Sequence, residues 1–143
     1  MIGNRPYSAI IEKLRDARLR PTRQRLALAR LLFDGGDRHV TAESLHTEAL
    51  SRNVKVSLAT VYNTLHQFTR SGFLREVMVD SARSYFDTNT THHQHFFCEE
   101  DRLLIDIPGE ELKVVKLPQP PPGTTVTEVD IVIRVRKNPG LEG

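Results

Sequence analysis

The run Thr91-His92-His93-Gln94-His95 gathers three of the six histidines of a 143-residue chain. Neutral imidazoles brought close together suit Zn, Fe, Mn or haem iron. Read as a strand, the run sends His93 and His95 to one face and His92 and Gln94 to the other. Asp87, Glu99, Glu100 and Asp106 lie near in sequence and could add hard oxygen ligands. Such a mixed nitrogen and oxygen set fits Zn²⁺, Mn²⁺ or Fe²⁺ better than Cu⁺. The alternative is a polar strand end whose histidines meet water, and spacing alone leaves both open. Cys98 is the only cysteine, so an internal disulfide and a CxxC zinc clamp are both excluded. It reads as a buried, inert thiol, and no Cys-Pro dipeptide of the haem-regulatory kind occurs. His46 reads as a surface residue of a helix, His66 as a helical residue able to touch phosphate, and His39 as loop.

Something must position these groups. The spacing of Ile10, Ile11 and Leu14 predicts a helix over 7–18, broken at Leu19-Arg20-Pro21-Thr22. A second helix is expected over 22–33, with Leu26, Ala29, Leu32 and Phe33 as its apolar stripe, ending at Gly35-Gly36. Thr41 caps a third helix that buries Ala42, Leu45 and Ala49, with Glu43 in its first turn. Ser57 caps a fourth, running to about Arg70. Leu58, Val61, Leu65 and Phe68 share one face of it; Ala59, Thr60, Asn63, Gln67 and Arg70 lie opposite, with Tyr62 on the flank. Then the period changes: 74–79 and 83–87 are short β-prone runs around Asp80-Ser81-Ala82, a hairpin signal. Helices followed by a hairpin spell a winged helix-turn-helix. The fourth helix would be the recognition helix, its exposed face small and polar enough for a major groove.

The second half reads differently. Strands are expected over 93–99 and 103–107, a short helix over 110–115, a stiff loop over 118–123 with four prolines, and a strand over 126–135 that sends Val129, Ile131, Ile133 and Val135 to one face. The fold class is therefore α+β: an N-terminal winged helix-turn-helix over 1–86 and a small C-terminal α/β unit over 87–143. A sheet that small has little to cover it, and pairing with a second copy is expected. The formal charge of +2 conceals a division. Residues 1–85 carry 14 basic against 8 acidic side chains, 12 of the 14 being Arg, whereas 86–143 carry 6 against 10. Arg favours bidentate phosphate and guanine contacts, so the first half suits DNA. No apolar run approaches the roughly 20 residues of a membrane-spanning helix. Met1 to Arg5 lacks a signal-peptide stretch, so no membrane role and a cytoplasmic location are expected.

Arg20-Pro21-Thr22-Arg23-Gln24-Arg25, His39-Val40-Thr41-Ala42-Glu43, Ala59-Thr60-Val61-Tyr62 and His92-His93-Gln94-His95 stand in the order and spacing of the ferric uptake regulator (Fur) family, which the chain resembles over nearly its whole length. The run from Leu104 to Leu112 further resembles the iron response regulator (Irr) branch. The resemblance implies a homodimeric transcription factor that binds a double-stranded DNA operator and responds to Fe²⁺, Mn²⁺ or Zn²⁺, or to haem. Its regulatory metal site falls on His39, Asp87, His95 and Asp106, the two aspartates standing where many members have Glu. Haem sensing in the Irr branch makes His92, His93 and His95 candidate haem ligands, and a haem-delivering enzyme a candidate partner. Gln94 stands where the family's second site has Asp, and Cys98 survives without its partner, Asp101 being in its place, so no structural zinc is expected. On the DNA side, Tyr62 matches the base-contacting tyrosine, with Thr60 beside it and Asn63 where Arg is common. Arg20 matches a basic residue that enters the minor groove, and Arg23, Arg25 and Arg70 match phosphate partners.

Two other function classes compete. A winged-helix repressor of an organic ligand would leave the histidines incidental. A metal-dependent hydrolase would need an open coordination position and a general base, yet the chain contains neither an HExxH helix nor a nucleophile motif.

Overall fold

The computed structural model describes residues 5–109 and 111–140. The chain forms two compact units, the first ending at Thr90 and the second starting at Thr91. Together they give the expected α+β class. The signal-peptide argument over Met1 to Arg5 falls almost wholly outside the described residues, and among the described residues no helix is long and apolar enough to cross a membrane.

The first unit packs four helices, α1 (Arg5–Asp16), α2 (Arg23–Phe33), α3 (Ala42–Ser51) and α4 (Leu58–Arg70), on a small sheet. α1 ends two residues before the expected limit. Arg18 takes the left-handed conformation (φ 62°) and the Leu19 N–H closes onto the Leu14 carbonyl at 2.7 Å, a Schellman-type stop. α2, α3 and α4 start where Thr22, Thr41 and Ser57 accept backbone N–H groups on their side-chain oxygens. At Thr41 the arrangement is a reciprocal capping box with Ser44. α3 stops at Asn53 (φ 62°), with Val54 N–H on the Ala49 carbonyl. The core gathers Leu28, Leu32, Leu45, Val61, Leu65 and Phe68 among others. Leu28 was not in the expected stripe of α2, but it is fully buried, whereas Leu26 is only half-buried. Packing from two sides widens the buried arc of this helix beyond one stripe.

The hairpin is β2 (Arg75–Asp80) against β3 (Arg83–Asp87), as its pattern predicts. β3 also carries a strand the sequence did not announce, β1 (His39–Val40), antiparallel on its other side. Two residues are too short for a periodic signal; β1 exists through its partner. Arg38 fixes the approach to it: its N–H donates to Thr88 Oγ1 (2.9 Å), its carbonyl accepts the Thr88 N–H (3.1 Å), and its guanidinium grips Glu48 at 2.7 and 3.1 Å.

In the second unit, β4 (Gln94–Cys98) is the central strand, with β5 (Leu103–Ile107) antiparallel on one side and β6 (Val132–Val135) parallel on the other. Two expectations fail here. Residues 111–115 are not helical, Glu110 lying outside the described residues. Only the Glu111 N–H to Pro108 carbonyl bond (3.0 Å) marks a turn, and a segment bounded by Pro108 and Pro118, with Val114-Val115 inside it, cannot offset the cost of helix nucleation. The last strand is also shorter than 126–135. Its ladder begins at the His95–Val132 pair because β4 itself begins at Gln94. Upstream of the ladder the Gln94 amide substitutes for it: Nε2 donates to the Val129 carbonyl (2.9 Å) and Oε1 accepts the Ile131 N–H (2.6 Å).

Candidate metal half-sites and DNA-binding surface

Strand register creates two clusters, one in each unit. In the first, the β1–β3 register sets His39 directly opposite Asp87. His39 Nε2 lies 3.2 Å from Asp87 Oδ2. The Asp87 side chain is 1% exposed, and a buried carboxylate needs partners. Besides His39, its Oδ1 accepts the Asn89 N–H at 2.9 Å.

In the second unit, the β4–β5 register sets His95 opposite Asp106. His93 is two residues upstream of His95 and shares its face. Both Nε2 atoms lie 3.3 Å from Asp106 Oδ1, and the two rings are 4.5 Å apart. His95 is fully buried and His93 nearly so. His93 Nδ1 sits 2.6 Å from the Thr91 carbonyl. A carbonyl only accepts, so Nδ1 donates to it and Nε2 is the nitrogen turned toward Asp106, the one that could bind a metal. Two ligand atoms, each about 2.1 Å from one ion, stand about 3.0–3.4 Å apart in tetrahedral or octahedral geometry. The N···O spacings of both clusters fall in that range. They are equally hydrogen-bond lengths, so the donor chemistry carries the argument: imidazole nitrogen plus carboxylate oxygen fits Mn²⁺, Fe²⁺ or Zn²⁺.

The structure thus brings His39 to Asp87 and His95 to Asp106. It adds His93 to the second pair, which strand alternation had already placed on that face. His92 is exposed in the bend before β4 and belongs to neither cluster. With His93 and Gln94 it borders a cavity of about 340 Å³ whose other walls include Ile107, Leu112, Val126 and Val129. Cys98 is buried, its Sγ 3.8 Å from Asp101.

The residues expected to face DNA all lie in the first unit. Arg20 and Arg23 are exposed at the entry to α2, Asn63 and Arg70 along α4, and Thr60 is half-buried. The Thr60 Oγ1 accepts from the capping Ser57 hydroxyl at 2.9 Å. Arg25 is a strut: its Nε donates to Gln67 Oε1 (3.1 Å) and its Nη1 to the Arg20 carbonyl (2.9 Å), tying the Arg20 turn to α4. Tyr62 is 37% exposed. Its hydroxyl donates to Glu43 Oε2 at 2.6 Å, and that bond to a carboxylate pushes the phenol above its usual range. Sequence reasoning missed Glu43 in this role and Thr91 as the group that orients His93. Only helix packing joins Glu43 to Tyr62, although the Thr91 contact was within local reach.

The family model described as "Ferric uptake regulator family" matches residues 16–132. The peroxide-responsive repressor PerR of Staphylococcus aureus (strain Mu50) is 35% identical over 107 residues, covering 74% of this chain and 71% of that relative. Among solved structures, the Vibrio cholerae ferric uptake regulator gives a TM-score of 0.71 at 21% identity, over 89% of this chain and 98% of that one. The Pseudomonas aeruginosa ferric uptake regulator, determined with manganese, gives 0.65 at 24% identity, over 88% and 96%. The two structural likenesses share the fold; the family model and the 35% identity go further, and the chain belongs to the ferric uptake regulator family, a family of metal-responsive, DNA-binding transcription regulators and not of enzymes.

Proposed function

We propose that this protein is a cytoplasmic, homodimeric repressor of iron-homeostasis genes whose hold on DNA is set by one divalent ion. The observation that carries the reading is the convergence of His93 and His95 Nε2 on one oxygen of Asp106, with the His93 ring oriented by its Nδ1 contact to the Thr91 carbonyl. In this reading His39 and Asp87 complete the ion's shell together with His95 and Asp106. When bound, the ion supplies a charge centre that draws ligands from both units. Its occupancy would then bias the spacing of the two wings of a dimer. His93 acts as a fifth donor or an alternate one. Tyr62, Thr60 and Asn63 face the bases, Arg20 the minor groove, and Arg23 and Arg70 the phosphates, while Arg25 acts through its strut.

A specific observation supports a second ligand. The cavity in the second unit has an apolar wall of Ile107, Leu112, Val126 and Val129 and is bordered by the exposed His92, so an apolar face and an imidazole for axial ligation of haem lie together. With the Irr-like run from Leu104 to Leu112, it supports haem as an opposing signal, brought by a haem-delivering enzyme. A peroxide response, named for the PerR relatives, is the competing signal.

Operator binding, measured at one fixed salt concentration with Mn²⁺, haem or peroxide added singly, separates these signals, since salt alone shifts affinity by orders of magnitude. Binding that changes with Mn²⁺ in the wild type and not in His95→Ala supports the metal reading. Loss of the haem response in His92→Ala, with the Mn²⁺ response intact, supports the second. Identical responses in wild type and His95→Ala would sink the metal assignment.

A further inference from the structure

The bond between Tyr62 and Glu43 links α3 to α4, two helices that each carry their own cap. It joins two exposed side chains on the surface assigned to DNA. We propose that Glu43 is a specificity-determining residue of the DNA-binding surface, holding Tyr62 as an aromatic ring and hydrogen-bond acceptor while its own charge weakens contacts to phosphate. The inference rests on the reading of α4 as the recognition helix.

The geometry fixes the tyrosine twice. Its ring lies nearly parallel to that of His66 (centroids 6.3 Å apart, planes at 18°), and its hydroxyl is tied to Glu43 at 2.6 Å. A phenol has one proton, and here the carboxylate takes it as hydrogen-bond acceptor. What remains on the oxygen is lone pairs. They can accept from the amino group of adenine or cytosine, and the ring can meet a thymine methyl. They cannot bind a phosphate oxygen, which only accepts. A tyrosine with a free hydroxyl could donate to any phosphate and so stabilise every sequence alike. Glu43 removes that option. It also places a negative charge beside the ring, where an approaching phosphate meets repulsion that does not depend on sequence. Both effects lower binding to random DNA more than binding to the correct site, where base contacts compensate; discrimination is this difference between two affinities. The phenol's raised proton affinity, caused first by the same carboxylate, keeps the proton in place at neutral pH.

The test compares wild type with Glu43→Gln, Glu43→Ala, Tyr62→Phe and the Glu43→Ala/Tyr62→Phe double variant. Each is titrated against a duplex enriched by the wild type from a random pool and against a random duplex of equal length, with and without Mn²⁺. Glu43→Gln keeps an acceptor for the phenol and removes the charge. It should tighten random-duplex binding about 3- to 10-fold and the enriched duplex less. Glu43→Ala should lower the ratio of the two affinities about 10-fold, the scale of one base contact. Tyr62→Phe should weaken the enriched duplex and leave the random one within about 2-fold, and the double variant should be no less selective than Glu43→Ala alone. Ratios within about 2-fold of wild type in both Glu43 variants would overturn the inference while leaving the DNA reading intact. A wild type that enriches no sequence from the pool would overturn the DNA reading and the inference with it.

Discussion

Glu48 shows at the residue scale how the approach to β1 is braced, through Arg38. The Arg38 guanidinium, by its hydrogen bond and then its charge, holds the Glu48 carboxyl below the usual range. A carboxyl lowered by folding adds stability above its unfolded value of about 4.3 and loses that contribution as pH falls through the folded one. Glu48→Gln should therefore cost about 1 kcal/mol at neutral pH and flatten the stability curve below about pH 5. Urea unfolding at pH 7 and pH 3 checks this; parallel acid losses in both proteins would remove Glu48 from the account. Other residues were legible beforehand. His93 and His95 shared a face by alternation, and Thr41 and Ser57 were caps by type. Leu28 was not, because its burial depends on a second packing partner.

At the scale of elements, each proposed metal half-site is a cross-strand pair: His39 on β1 faces Asp87 on β3, and His95 on β4 faces Asp106 on β5. Opposite residues of antiparallel strands stand about 4.5–5.5 Å apart at Cβ, close enough for imidazole and carboxylate to meet. The capping box of α3 follows β1 directly and fixes where the chain turns. Thr41→Ala should destabilise the protein by about 1 kcal/mol. Ser44→Ala added to it should cost a further amount of similar size, because each side chain caps the other's backbone N–H through its own bond. Thermal or urea unfolding of both single variants and the double checks this, and a silent Ser44→Ala would count against the reciprocal cap. The sequence showed the helix starts clearly, since a cap is local. β1 and the shortened β6 stayed hidden: a two-residue strand has no period, and the end of a ladder is set by its partner.

For the whole molecule, the second unit leaves apolar side chains in water. Leu103 and Ile105 project from β5, and Val115 is 95% exposed. A lone three-stranded sheet with such a face is expected to pair. If the homodimer forms through this face, Ile105→Asp should shift the protein to monomer mass in sedimentation at micromolar concentration, and Mn²⁺ affinity of the second half-site should survive. A dimer unchanged by that substitution, with Leu103→Asp equally silent, would place the interface elsewhere.

The sequence by itself determined the α+β class, the winged helix-turn-helix and the family, and it offered the candidate donor residues, because caps, periodicity and short motifs are written in neighbouring positions. Only the tertiary structure decided which candidate donors meet, that His93 joins His95 on Asp106, that Gln94 holds the incoming strand, and that the Tyr62 hydroxyl donates to Glu43. Register and helix packing join residues far apart in the chain, and no local pattern records that distance.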